Sequence, residues 1–174
     1  ASANRAYFVA RNLTFAQDIG NFTQFFFNPY SLNPSFAGID GRSALFLAYR
    51  KQWSGIEGGP TIANFSFHTP LKSGLSMGVN VANDKRGILS NSGMLITMAY
   101  SARLGESMYL RFGISGGGSW NTVDLSKIPS QVVGSDPALI NLLNQNASVI
   151  GNAGLSLHLK SFHIGAALPN LFTP

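Results

Sequence analysis

The sequence predicts an all-β chain: an antiparallel transmembrane β-barrel of the outer membrane, of which this chain covers about the first half, some seven strands. Three observations predict it. Polar and apolar residues alternate with period two in run after run. The second face of each run is built from small polar residues rather than from charge. Long and short connections take turns between the runs.

The runs justify the first two observations. Leu45, Leu47 and Tyr49 share one face, with Arg42, Phe46 and Arg50 opposite. Ala63, Phe65 and Phe67 alternate with Asn64, Ser66 and His68. Leu75, Met77, Val79 and Val81 alternate with Gly74, Ser76, Gly78 and Asn80. Met94, Ile96, Met98 and Tyr100 stand against Thr97, Ala99, Ser101 and Arg103. Met108, Leu110, Phe112 and Ile114 stand against Tyr109, Arg111, Gly113 and Ser115. Ala153, Leu155, Leu157 and Leu159 alternate with Gly154, Ser156, His158 and Lys160, and Phe162, Ile164, Ala166 and Leu168 with His163, Gly165 and Ala167. Successive strand residues point to opposite faces, so period two reads as strand. A soluble sandwich alternates too, but its wet face carries more Lys, Glu and Asp. Gly, Ala, Ser, Thr and Asn suit the crowded interior of a narrow barrel.

The connections supply the third observation. Long links are expected at Gln52–Pro60, Asn83–Ser92 and Trp120–Ala147; short ones fall at Pro70-Leu71-Lys72, Leu104-Gly105-Glu106 and Lys160-Ser161. Short periplasmic turns and longer external loops are the habit of outer-membrane barrels, so the long links are placed outside the cell. Within the longest, Asp136 before Pro137 offers a helix start, and Ala138, Leu139, Leu142 and Leu143 follow helical spacing. A short helix at Pro137–Asn144 and an irregular external loop both remain open. The chain divides into an N-terminal periplasmic or plug-like segment, 1–41, and barrel strands over 42–174, with a long external loop at 120–147. Thr14-Phe15-Ala16 before Gln17 looks like a signal-peptide cleavage site, although Asn4, Arg5, Arg11 and Asn12 interrupt any apolar stretch upstream. From Phe22 to Gly38 the chain is rich in Phe and Pro, with turn signals at Asn28-Pro29 and Asn33-Pro34. Its aromatics would be costly to leave in water, so it is expected to pack on the periplasmic end, enter the lumen or join an interfacial girdle. An odd strand count and the lack of a closing strand point to further strands beyond this chain.

Composition narrows the function classes. Only 11% of the 174 residues are charged, against roughly 25% in an average soluble domain. No stretch reaches the roughly 20 apolar residues of a membrane-spanning helix, which leaves a barrel as the membrane structure. The net charge is +5, but the cations are scattered, with no basic run to meet nucleic acid. There are no cysteines, so thiol chemistry and thiolate metal sites are excluded. The seven acidic residues fall in or near connections and form no pair on a strand face, which gives glycosidase chemistry no support. His68, His158 and His163 are the only histidines; His68 and His158 are expected to face the lumen, and they are read as lumen-lining or hydrogen-bonded rather than as metal ligands, for want of a third ligand at the same height. The glycines of Gly113–Gly118 follow a strand with no helix after them and read as close packing rather than a phosphate cradle. No catalytic, cofactor or metal site is expected, and no cofactor.

Several short motifs carry a family resemblance. They are Asn28-Pro29, Asn33-Pro34 and Gly38; Arg50, Gln52, Trp53 and Gly55 in Arg-x-Gln-Trp-x-Gly; His68 and Pro70 in His-x-Pro-Leu; and Asn83-Asp84. From about Gln17 onward the chain resembles the PorP/SprF family. The resemblance implies a multi-pass outer-membrane barrel of the type IX secretion and gliding machinery of Bacteroidota. It also implies a role in the secretion or surface attachment of a large adhesin. The partners it implies are outer-membrane lipid, the adhesin or its C-terminal domain, and periplasmic components of the machine. Family members are longer than this chain, which agrees with closing strands beyond it.

Three functions follow as alternatives. The first is a non-enzymatic barrel that aids adhesin export or attachment, with Trp53 and Trp120 as contact anchors or, equally, as interfacial anchors. The second is a diffusion porin whose lumen cations Arg42, Arg50, Arg103 and Arg111 favour anions. The third is a soluble β-sandwich binding protein.

Overall fold

A computed structural model of the chain describes residues 6–10, 28–53, 55, 58–124, 147–159 and 162–171. The alternating runs form seven antiparallel strands: β2 (Ala44–Lys51), β3 (Thr61–Pro70), β4 (Leu75–Arg86), β5 (Leu89–Arg103), β6 (Met108–Val123), β7 (Ser148–Leu159) and β8 (Phe162–Leu168). Each pairs with its chain neighbour, and together they curl into a half-barrel. An eighth strand, β1 (Ala6–Ala10), was not foreseen; it runs parallel to β8, Ala6 opposite Phe162 and Ala10 opposite Ala166.

The sheet is inverted relative to a soluble protein. On the convex face Leu47 is 76% and Ile114 65% exposed, while the concave-face Ser66 and Ser156 are 0% and 1%. Eleven polar or charged residues are buried among the described residues, against four apolar ones. Water would penalise such an exterior heavily, and lipid does not. A soluble sandwich, with its apolar side inward, does not have this arrangement.

Register sets the limits of the apolar band. Tyr49, Ala63, Asn83, Ser92 and Trp120 are cross-strand partners in one rank on the convex face. The next rank down is Leu47, Phe65, Val81 and Met94. Tyr100 marks the opposite border on β5. The stretch from Ser92 to Tyr100 spans about 27 Å along the strand, or about 20 Å of height once tilted, against a typical band of ~25 Å. Aromatic residues therefore flank the band on both sides, as interfacial girdles do.

Two expected connections are corrected. The link expected at Asn83–Ser92 is a tight hairpin with only Gly87 and Ile88 between β4 and β5, and Gly87 takes a φ of 63°. Likewise β6 continues to Val123, so Trp120 is a strand residue and the connection to β7 begins later than its polarity indicated. At 15 and 16 residues, β5 and β6 exceed the roughly 9–11 needed to cross a membrane. They overshoot on the side of the long links. The expected helix at 137–144 lies outside the described residues.

A lysine in the middle of the band measures its depth. Ile96→Lys should cost about 2–4 kcal/mol and Ser90→Lys about 0–1 kcal/mol. Urea unfolding in vesicles checks this; equal losses would contradict the assigned band.

Candidate functional site

Residues 28–41 lie on the concave face of the half-barrel. Two single-turn 3-10 helices, Pro29–Ser31 and Pro34–Phe36, give the segment its compact path, each with proline at its start. The side chain of Asn33 caps the second turn, accepting from Ser35 N at 2.9 Å and from Ser35 Oγ at 2.7 Å. Gly38, with a φ of 65°, turns the chain out towards β2. A Cβ there would sit 2.5 Å from Ser76 Oγ, so both backbone conformation and space call for glycine.

Side chains from four strands and a carbonyl from a fifth bind this segment. Asn28 Nδ2 donates to Ser66 Oγ at 2.6 Å. Tyr30 OH donates to Thr97 Oγ1 at 2.8 Å, and Thr97 bonds Ser115 in turn at 2.7 Å. Asn33 Nδ2 donates to the carbonyls of Leu155 on β7 (3.4 Å) and Ala166 on β8 (3.1 Å). Ser35 Oγ, its proton given to Asn33, also bonds Ser156 Oγ at 2.8 Å, and Ser156 bonds His158 Nε2. Gly38 N–H donates to His68 Nδ1 at 2.9 Å. Arg111, 6% exposed on β6, spans two carbonyls: Nε donates to Ser35 O at 2.9 Å and Nη2 to Ala37 O. A planar guanidinium can serve two acceptors at once. Burial pushes the Tyr30 phenol above its ordinary pKa and the bond to Thr97 acts the other way, so its hydroxyl stays a donor at neutral pH.

The fit is also steric. A Cβ at Gly113 would overlap the backbone of Pro34 and Ser35, and one at Gly154 would overlap the Asn33 side chain. Gly78 lies beneath the Tyr30 ring and Gly165 beneath Asn33 and Phe36. Rings close the packing: Tyr30 meets His68 edge-on with centroids 5.0 Å apart, and Phe36 meets His158 at 5.8 Å. Below the segment, at the short-turn end, a cleft of about 620 Å³ is lined by Asp40, Glu106, Tyr109, Arg111, His158 and His163 among others.

The motif residues singled out from sequence fall into two groups. Asn28, Pro29, Asn33, Pro34, Gly38, His68 and Pro70 belong to the inner segment or its seat. Arg50, Gln52, Trp53, Gly55, Asn83 and Asp84 lie at the opposite end of the sheet, away from the short turns. There Gln52 N–H donates to Pro60 O at 2.8 Å, closing the β2–β3 connection. In the orientation that satisfies both groups, the Gln52 amide oxygen accepts from Arg50 at 3.0 and 3.3 Å. Trp53, with a φ of 52°, is 67% exposed. Asn83 Nδ2 donates to Ser90 and Ser92, and Asp84 pairs with Arg86 at 2.6 Å. Gly87 N–H donates to Gly58 O, tying the hairpin tip to the neighbouring connection. Trp120 stands apart from Trp53, on the convex rank beside Ser92.

Three of the four proposed lumen cations are otherwise employed. Arg42 is exposed ahead of β2, Arg50 faces Gln52, and Arg103 donates to the carbonyls of Gly105 and Glu106 in the short turn. Arg111 is committed to the inner segment. Tyr30 reads from sequence only as an aromatic to be buried, Ser35 only as part of a motif stretch, and Thr97 and Ser156 only as second-face residues, none as a bonding partner. For Thr97 and Ser156 the only signal is a small hydroxyl residue at an inward strand position.

Removing the guanidinium strands two buried carbonyls, each worth about 1–3 kcal/mol. Arg111→Ala should therefore speed hydrogen exchange over residues 28–38 while sheet amides stay protected, and Arg111→Lys should restore only part of the protection. The two tryptophans allow a second check. With Trp53→Phe, the remaining Trp120 emission should be quenched by brominated lipid and spared by iodide; the reverse pattern would remove Trp120 from the interface.

A family model described as "Type IX secretion system membrane protein PorP/SprF" matches residues 14–174. Searches of curated proteins and of solved structures returned no match.

Proposed function

The chain belongs to the PorP/SprF family of type IX secretion system membrane proteins, and from that premise we propose that it is a non-enzymatic, multi-pass outer-membrane barrel that helps secrete a large adhesin or attach it to the cell surface. Its partners in this reading are outer-membrane lipid, the adhesin or its C-terminal domain, and periplasmic secretion and gliding components. The observation that carries the reading is the filled concave face. A diffusion pore needs an open, chemically lined path, whereas here the inward side chains are spent on holding the chain's own residues 28–41. What is left for recognition lies at the two ends.

The outer end favours the adhesin. It combines the braced connection at 52–60, the overshooting hairpin β4–β5 and the connection 124–147. Trp53, exposed on the first of these, is the best single anchor, since a bulky aromatic contributes strongly once buried by a partner. Trp120, on the lipid-side rank, is better read as a membrane anchor. The short-turn end, with Asp40 and Glu106 at its cleft, is the face offered to periplasmic components.

Removing residues 126–145 leaves every described strand in place. The expected outcome is barrel levels near wild type with loss of adhesin from the surface, scored by immunofluorescence and heat-modifiable mobility. Normal display at normal barrel levels would refute the external-loop part of the reading. Trp53→Ala should weaken display at least several-fold without changing barrel abundance.

A further inference from the structure

We propose that residues 28–41 are a fixed plug: the segment seals the lumen of this barrel permanently, and no client polypeptide threads through it. A plug meant to be withdrawn needs a loose seat, and this one is bonded to the strands from Asn28 to Gly38. Between Asn28 and Gly38, bonds reach β3 through Ser66 and His68, β5 through Thr97 and β6 through Arg111. They reach β7 through Ser156 and the Leu155 carbonyl, and β8 through the Ala166 carbonyl. Withdrawal would break these bonds together and leave the Arg111 guanidinium in the barrel without the two carbonyls it serves.

Shape makes the same point independently. The seat is a floor of glycines whose bare backbones match the turns of the segment. Pro34 and Ser35 rest on Gly113, and Asn33 lies against Gly154. Such contact leaves no gap between the segment and the concave face of the sheet. The tether is short as well: Gly38 is anchored beside Ser76 and Pro70, and β2 begins at Ala44. The segment therefore has little slack on that side to swing clear.

Two measurements test this, and they fail separately. In planar bilayers the protein with its natural flanking sequence should show no steady current. Gly113→Val, or Arg111→Ala combined with Asn33→Ala if the valine variant does not fold, should introduce one. Steady conduction by the wild type would overturn the seal. The second test uses the absence of cysteine in the chain. Ser35 and Ser156 have hydroxyl oxygens 2.8 Å apart, so cysteines at both positions are placed to form a disulfide under oxidation. The oxidised Ser35→Cys, Ser156→Cys variant should deliver its client to the surface as wild type does. Loss of delivery that returns on reduction would overturn the fixed plug, as would failure of the disulfide to form in a heat-modifiable, folded barrel. If even the wild type had no adhesin client, the proposed function would fall, while conductance would still decide whether the lumen is sealed.

Discussion

Arg111 joins the requirements of lipid on one side of the sheet to those of a buried polar interior on the other. With an apolar exterior, the polar residues of each strand turn inward, and the irregular backbone of residues 28–41 has no ladder of its own. Buried carbonyls need donors. The guanidinium supplies two of them, at Ser35 and Ala37. Asn33 and Tyr30 of the inner segment donate to groups on β7, β8 and β5, and His68 on β3 accepts from the Gly38 N–H. The inner segment and the strand interior are polar complements, and each satisfies what the other leaves buried.

This complementarity explains the second face of the strands. Small residues there are often attributed to a narrow lumen. The contacts are more specific: Ser66, Thr97 and Ser156 are bonded to named residues of the inner segment, and Gly113 and Gly154 admit its backbone. At the β4–β5 hairpin end the polar residues do different work. Asn83 links Ser90 and Ser92, and Asn91 bonds Asn121, so the hairpins remain ordered sheet beyond the lipid. Tyr49 and Trp120 mark where one regime gives way to the other.

All seven antiparallel strands were legible because lipid on one side and packing on the other impose a strong period of two. Their outer ends were not. Beyond the membrane both faces are polar, so Asn83-Asp84-Lys85 and Ser90-Asn91-Ser92 look like loop although they pair in register. The same effect placed Trp120 in a connection. The five-residue strand Ala6–Ala10 has no alternation to betray it, and its parallel partner lies over 150 residues away. Asn28-Pro29 and Asn33-Pro34 were legible as turns because turn chemistry is local. Their seat was not, since Asn33 meets its partners on β7 and β8 far along the chain. Arg111 stood out as an inward cation, but a cation awaiting an anion and one holding a carbonyl pair look alike in sequence.

The span of those bonds bears on how the barrel is made. Asn33 precedes the Leu155 and Ala166 carbonyls by 122 and 133 residues. Neighbouring hairpins can close locally and fast, but these contacts must wait for the last described strands and bear a large loop-closure entropy. Until β7 and β8 arrive, the inner segment has only β3, β5 and β6 to bond, and its remaining polar groups stay hydrated. Synthesis order is thus the reverse of completion order: residues near the start of the chain are among the last to be fully held. A half-assembled sheet already has its apolar exterior but not its finished interior. That intermediate is the stage most exposed to aggregation, and the one at which assistance during membrane insertion has most to contribute.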